Sequence, residues 1–177
     1  MSPSADLLLR AATPGDIADL VAFENLVFAT EPHRITPRQW RELVRRAPGL
    51  TTVAEAVAPR PGQSRLAGVL VLAARGRTLR ILSLGTHPDW RRQGVAAILL
   101  QQAAAAGESA GLARIRLEVR DDNRAAIALY ARHGYVIAGA LPSYYGVGED
   151  GVRMERTLGD AAETGGDGGR APGPPEA

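Results

Sequence analysis

Arg91, Arg92, Gln93 and Gly94 stand directly before an apolar, alanine-rich run that reaches Leu100. A helix start leaves about four backbone N–H groups without partners, and the helix dipole adds partial positive charge there. A phosphate suits such a position. Gly94 lets a ligand approach the backbone, Ala96 keeps the next turn small, and the two arginines add charge. Asp89 is the one side chain of the bend able to satisfy those N–H groups itself. Spacing alone leaves two readings open, an ordinary helix start and an anion site.

A second glycine pattern is a decoy. Gly146 to Gly151 spell GxGxxG, but the dinucleotide motif needs a strand before it and a helix after it. Here a stretch rich in Pro and Tyr precedes and a strand follows, so a flexible loop is expected. Composition removes other chemistries. The chain has no cysteine, which excludes disulfides, thiolate metal sites and a cysteine nucleophile. All 21 Lys-or-Arg positions are arginine, so Schiff-base chemistry and a lysine-bearing phosphate loop are excluded too. A net charge of +2 argues against a nucleic-acid binder. No apolar run approaches the roughly 20 residues of a membrane helix. The N-terminus has no basic region before its short apolar run, so no signal peptide is expected, and a cytoplasmic location is.

Elements must position the bend. With 177 residues, one domain is expected over residues 1–159. Leu7 to Arg10 read as a strand. Thr13 to Asp16 supply a turn, and apolar residues from Ile17 to Val27 follow at helical spacing. Thr36, Pro37 and Gln39 form a capping box for a second helix ending near Pro48-Gly49. Thr51 to Ala58, Leu66 to Ala74 and Thr78 to Thr86 read as strands, the last two joined as a hairpin at Arg75-Gly76-Arg77. A helix over Val95 to Ser109 follows the bend. Arg114 to Arg120 alternate cleanly, with Ile115, Leu117 and Val119 on one face. Asp121-Asp122-Asn123 cap a helix from Arg124 to His133, which Gly134 ends. Strands at Tyr135 to Ala140 and Val152 to Leu158 bracket the Tyr- and Gly-containing loop. The order implies an α/β (α+β) fold, a mixed sheet of about seven strands with helices on both faces. Residues 160–177 hold no large apolar side chain and are dense in Gly and Pro, so a disordered tail is expected.

Arg91-Arg92-Gln93-Gly94-Val95-Ala96 fits the Q/R-x-x-G-x-G/A signature of the GNAT superfamily of N-acetyltransferases. The segment Leu117 to Val136, LEVRDDNRAAIALYARHGYV, is similar to the later part of that fold. More narrowly, the chain resembles the ribosomal-protein-alanine and protein N-terminal acetyltransferases, over about residues 7 to 158. It departs from the family pattern at Ala96, where glycine is commoner, and at Thr86, in a slot usually filled by valine.

The resemblance implies acetyl-CoA as co-substrate, no metal, and a primary amine as acceptor, first of all a protein or peptide N-terminus. It implies backbone contacts to the pyrophosphate from Arg92, Gln93, Gly94, Val95, Ala96 and Ala97. Leu84, Gly85 and Thr86 would pair with the pantetheine like an added strand, and Asn123 would touch the cofactor. Tyr130 is implied as general acid toward the sulfur and Glu118, twelve residues before it, as general base. Glu24, Tyr144 and Tyr145 are implied near the acceptor. The implied assembly is a monomer or homodimer, with neither nucleic acid nor membrane as partner.

Each residue also has a plainer reading. Asn123 can be a helix cap alone, Tyr130 a packed helix side chain, and the two loop tyrosines mere packing. Glu118 can be a carboxylate paired with Arg116 and Arg120, and nearby cations weaken a base. A water relay, or His87 by its intrinsic pKa, competes for the base role. A small-molecule amine acetyltransferase and a non-catalytic acyl-CoA-binding module are the rival functions. Turnover on N-terminal peptides, turnover on small amines, and binding without turnover tell the three apart.

Overall fold

Ala67 to Leu72 are buried without a break, the mark of a strand covered on both faces. The computed structural model describes residues 6–29, 31, 34–47 and 49–159. It contains β1 (Leu7–Ala11), α1 (Ile17–Val27) after one 3-10 turn at Pro14–Asp16, and α2 (Pro37–Arg46). Then come β2 (Thr51–Ala56), β3 (Leu66–Arg75), β4 (Thr78–Thr86) and α3 (Val95–Ser109). The chain continues through β5 (Arg114–Arg120), α4 (Arg124–Arg132), β6 (Val136–Gly146) and β7 (Glu149–Thr157). The seven strands form one sheet in the order β1-β2-β3-β4-β5-β7-β6. Only the β4–β5 pair is parallel; the rest are antiparallel.

Alternation along β3 divides the core. Val69 and Val71 pack with Leu20, Phe23, Trp40 and Val44 of α1 and α2. Leu70 and Leu72 pack on the other face with Leu99, Leu100 and Ala103 of α3 and Tyr130 of α4. This is the expected mixed sheet with helices on both faces. Local signals account for the element ends. The Thr36 N–H donates to Gln39 Oε1 at 2.8 Å, and the Gln39 N–H donates to Thr36 Oγ1 at 3.3 Å. The Ala126 N–H donates to Asn123 Oδ1 at 3.1 Å, so the cap on α4 is real.

The stretch expected as a loop between the last strands is not one. β6 runs on to Gly146 and β7 begins at Glu149, so Tyr144 and Tyr145 stand on a strand and the GxGxxG stretch holds a tight hairpin turn. Cross-strand pairing with a neighbour, invisible to local composition, extends both strands. β2 stops at Ala56, two residues early, and α4 ends at Arg132. The tail expected over residues 160–177, and Pro48 at the end of α2, lie outside the described residues. Among the described residues, no helix is long and apolar enough to cross a membrane, and no group of three His, Cys, Asp or Glu is placed to hold a metal.

Candidate active site

The bend before α3 is held by side chains that turn away from the helix end. Pro88 to Trp90 make a 3-10 turn. The Trp90 indole N–H donates to the Ser64 carbonyl at 2.8 Å and the ring is buried. Asp89 accepts from the Ser64 N–H at 3.0 Å, so its carboxylate ties the bend to the β2–β3 connection and does not cap α3. Gln93 Nε2 donates back to the Asp89 carbonyl at 2.8 Å. No side chain caps α3, whose N-cap is Gly94 in the left-handed region (φ 83). The first intrahelical bond runs from the Ile98 N–H to the Gly94 carbonyl. The N–H groups of Val95, Ala96 and Ala97 thus lie at an uncapped, positive helix end. Arg92 also has a positive φ of 60. For a non-glycine residue that costs roughly 1 kcal/mol or more, strain that the surrounding bonds sustain.

β4 and β5 pair only from Thr78 to Arg80 against Arg114 to Arg116. Beyond Arg80 they have no registered pairs. A bulge at Leu82, between the Ser83 and Ile81 pairings with β3, accompanies the parting. The β4 edge from Ile81 to Thr86 therefore faces a cleft. Gly85 has a reason of its own. A Cβ there would stand 2.9 Å from Phe23 Cε1 and 3.0 Å from Phe28 Cζ. Two rings from the α1 side press on the strand, a close approach that sequence spacing does not reveal.

The cleft opens into a cavity of about 810 Å³, in the range of small-molecule sites. It collects residues from six elements. Glu24, Leu84, Gly85, Thr86, Arg92, Gly94, Val95, Ala96, Ala97, Glu118, Asn123, Tyr130 and Tyr145 all line it. Gln93 and Tyr144 do not. Tyr144 meets Tyr145 edge-on at 5.1 Å and lies beside Arg80. His87 does not line the cavity either. Its Nδ1 accepts from the Asp89 N–H at 3.3 Å, and its ring lies 6.3 Å from Phe23.

Tyr130 is 9% exposed and packs edge-on against Tyr135 at 5.9 Å. Burial pushes its hydroxyl up to about 12, so it keeps its proton at neutral pH. The Glu118 side chain is 7% exposed. Burial alone would raise its pKa, but the bonds from Arg80 Nη2 (2.7 Å) and Arg116 Nε (2.8 Å) win and hold it low. Its partner from β4 is Arg80, not Arg120, which pairs with Asp122 and Glu149. Glu24 is the opposite case. It is 4% exposed, and burial raises its pKa against the bond from the Ile35 N–H at 2.7 Å. Its Oε2 is buried without a partner among the described residues. Two carboxylates on one cavity are thus driven in opposite directions.

Several lining residues went unmarked by sequence spacing. Val27 ends α1, and Phe28, Glu31, Arg34 and Ile35 lie between α1 and α2, where no motif marks them. Ala126 and Leu129 share the Tyr130 face of α4 at helical spacing, a signal that was available.

A model of the acetyltransferase (GNAT) family matches residues 17–135. The chain is 38% identical over 65 residues to a ribosomal protein bS18-alanine N-acetyltransferase of Escherichia coli (strain K12), an overlap of 37% of this chain and 44% of that protein. It is 31% identical over 136 residues to a mycothiol acetyltransferase of Clavibacter michiganensis subsp. michiganensis, 74% of this chain and 43% of that protein. The matches thus span less than half the length of these curated relatives. Among solved structures the chain is similar to Ard1 from Thermoplasma volcanium, with a TM-score of 0.74, 27% identity, and coverage of 86% of this chain and 97% of that one.

Proposed function

The chain belongs to the acetyltransferase (GNAT) family, and on that premise we propose that it transfers an acetyl group from acetyl-CoA to a primary amine, with a protein or peptide N-terminus as the acceptor. One observation carries the reading. An uncapped helix end with Gly94 open to the cavity, a free β4 edge and the Tyr130 side chain all meet in one cleft. The residues present fit acetyl-CoA. The N–H groups of Val95, Ala96 and Ala97 would hold the pyrophosphate, Arg91 and Arg92 add charge, and the β4 edge from Ile81 to Thr86 offers hydrogen-bonding groups to an extended chain. When bound, acetyl-CoA supplies the acetyl group as a thioester open to direct attack, so the absence of cysteine from the chain is no obstacle.

Tyr130 holds a proton at a hydroxyl that lies against the cleft and can give it to a departing thiolate. Glu118 is the carboxylate proposed to accept the proton from the amine, directly or through a water. Its arginine partners keep it ionised and make it a weak base. The neutral fraction of the amine itself then controls the rise of rate with pH. Glu24 and Tyr145 line the same cavity and form part of the acceptor wall in this reading. A cytoplasmic location belongs to the same proposal. The match to a mycothiol acetyltransferase keeps a small-molecule amine as the second reading.

Thermal unfolding with acetyl-CoA, beside ATP and NAD, tests the cofactor half. At 100 times its dissociation constant a ligand adds roughly 2.7 kcal/mol, about 5–10 °C for a domain of this size. A shift of that order with acetyl-CoA alone supports the reading. No shift at saturating acetyl-CoA sinks it.

A further inference from the structure

Glu24 belongs to α1, yet it holds residues that lie beyond the helix. Its Oε1 accepts the Ile35 N–H at 2.7 Å. Its carbonyl accepts the Phe28 N–H at 3.0 Å, and the Phe28 carbonyl accepts the Glu31 N–H at 3.0 Å. Beside it, Asn25 Oδ1 accepts from Arg34 Nη1 at 3.3 Å. Phe28, Glu31, Arg34 and Ile35 all line the cavity. Glu31 and Glu118 lie close enough for both charges to act on the Tyr145 hydroxyl, which places this wall at the acceptor end. The Ile35 bond comes one residue before the Thr36 cap of α2, so it fixes the point where the chain turns back into helix. A carboxylate held for its charge would be paired on both oxygens, as Glu118 is. Glu24 Oε2 is buried with no partner among the described residues. Arg34, whose charge reaches Glu24, gives its hydrogen bond to Asn25 instead. The side chain is placed by its reach to one backbone N–H.

We propose that Glu24 is a positioning residue for the acceptor: through the Ile35 N–H it latches the wall of Phe28, Glu31, Arg34 and Ile35 onto α1, and so sets acceptor affinity. The inference rests on the acetyl-transfer reading of the same cavity. Losing the bond leaves a partly buried N–H open, enough to weaken a site that depends on the latch by about tenfold. A wall displaced by about 1 Å also misplaces a bound amine, which lowers turnover further. Val95, Ala96 and Ala97, proposed to hold the pyrophosphate, belong to α3 and make no bond to this wall, so acetyl-CoA affinity stays near that of the wild type. Two conservative changes separate reach from charge. Glu24→Gln keeps the length and an oxygen for the Ile35 N–H and removes the charge. Glu24→Asp keeps the charge and falls one methylene short. Glu24→Leu removes both.

The test uses the full chain and its three variants. Amide hydrogen exchange at Ile35 reads the latch itself. Calorimetry reads the affinity for acetyl-CoA and, with CoA present, for a short peptide with a free N-terminal alanine and for spermidine; turnover is measured separately. The expected result is slow exchange at Ile35 in the wild type and in Glu24→Gln, and fast exchange in Glu24→Asp and Glu24→Leu. Acceptor binding should weaken about tenfold in Asp and Leu, with Gln rescuing most of it and acetyl-CoA affinity kept throughout. Unfolding midpoints confirm which variants are folded, and a failed Glu24→Leu leaves Asp, Gln and the wild-type exchange to decide. Strong acceptor binding in Asp with weak binding in Gln overturns the latch, because charge rather than reach then matters. Fast exchange at Ile35 in the wild type overturns it too, as does equal loss of acceptor and acetyl-CoA affinity in Asp and Leu. A wild type that binds neither acceptor removes the acceptor role. The expected pattern in exchange and binding, with no acetyl transfer to any amine, overturns the enzyme reading and leaves the latch standing.

Discussion

Two glycines at opposite ends of α3 make a matched experiment. Gly94 has φ 83 and Gly111 has φ 64, and a Cβ added at either meets nothing within 4 Å. Replacing either with alanine therefore introduces the same strain and no clash with the protein. The left-handed conformation costs an L residue roughly 1–2 kcal/mol, which lowers Tm by about 2–8 °C in a domain of this size. The two sites differ only in what stands outside the protein. Gly94 lines the cavity at the uncapped helix end, and Gly111 does not; about 22 Å of helix separates them. A methyl at 94 pushes an anion off the N–H groups of Val95 and Ala96. Hydrogen bonds to charged groups contribute about 1.5–3 kcal/mol each, so loss of one weakens acetyl-CoA binding about 10- to 100-fold. Calorimetry for Kd and thermal unfolding for Tm measure the pair. Gly111→Ala should lose stability and keep its affinity; Gly94→Ala should lose both. Normal affinity in Gly94→Ala refutes the bend as the pyrophosphate site, and equal affinity loss in both variants shows a global effect instead.

Tyr130→Phe removes a hydroxyl and keeps the ring contact with Tyr135; kcat should fall by about 10²-fold or more while Tm moves by no more than about 4 °C, and full activity would remove Tyr130 as the acid. Glu24 and Glu118 should give stability opposite pH slopes, read from urea midpoints between about pH 3 and 8. Glu24 is raised in the folded state, so its contribution is complete at acid pH and lost as pH climbs through the folded value; Glu24→Gln should abolish that loss. Glu118 is held low, so its contribution is complete above the usual carboxylate range and lost as pH falls through the folded value; Glu118→Gln should abolish that acid loss. The same slope in both variants contradicts the burial and bonding described for the two groups. Gly85→Ala presses a methyl into Phe23 and Phe28 and should cost about 1–3 kcal/mol, with a weaker acceptor KM because Phe28 lines the cavity; an unchanged Tm would show that the rings yield freely.

β4, α3 and β5 have the bounds that period and caps predict, because alternation, a glycine bend and an apolar helix face are local signals. β6 and β7 are legible near Tyr135–Ala140 and Val152–Leu158, but their extension into the hairpin is hidden for the opposite reason. Its tyrosines and glycines have loop composition, and the pairs that carry the strands on, Leu141 with Gly151 and Gly146 with Glu149, flank a register shift that holds both tyrosines. The site divides the same way. The bend and the Tyr130 helix are contiguous motifs and legible as such. The partner of Glu118 is 38 residues away, so the sequence neighbours Arg116 and Arg120 suggest a pairing that is half wrong. Glu24 carries no sign in the sequence that its second oxygen is buried and unpaired. Gly85 reads as strand irregularity or ligand contact, and its packing against Phe23 and Phe28 spans about 60 residues of chain.

Thiol release tests the central claim most directly. The chain has no cysteine, so every thiol that appears during reaction comes from product. The full chain is mixed with saturating acetyl-CoA and a panel of N-terminal peptides and small amines, and thiol is followed with a colorimetric reagent. Release that depends on both chain and amine, with an acetyl group found on the α-amine of at least one peptide by mass spectrometry, is the predicted result. Thiol release no faster than without the chain, for every amine tried, contradicts the account.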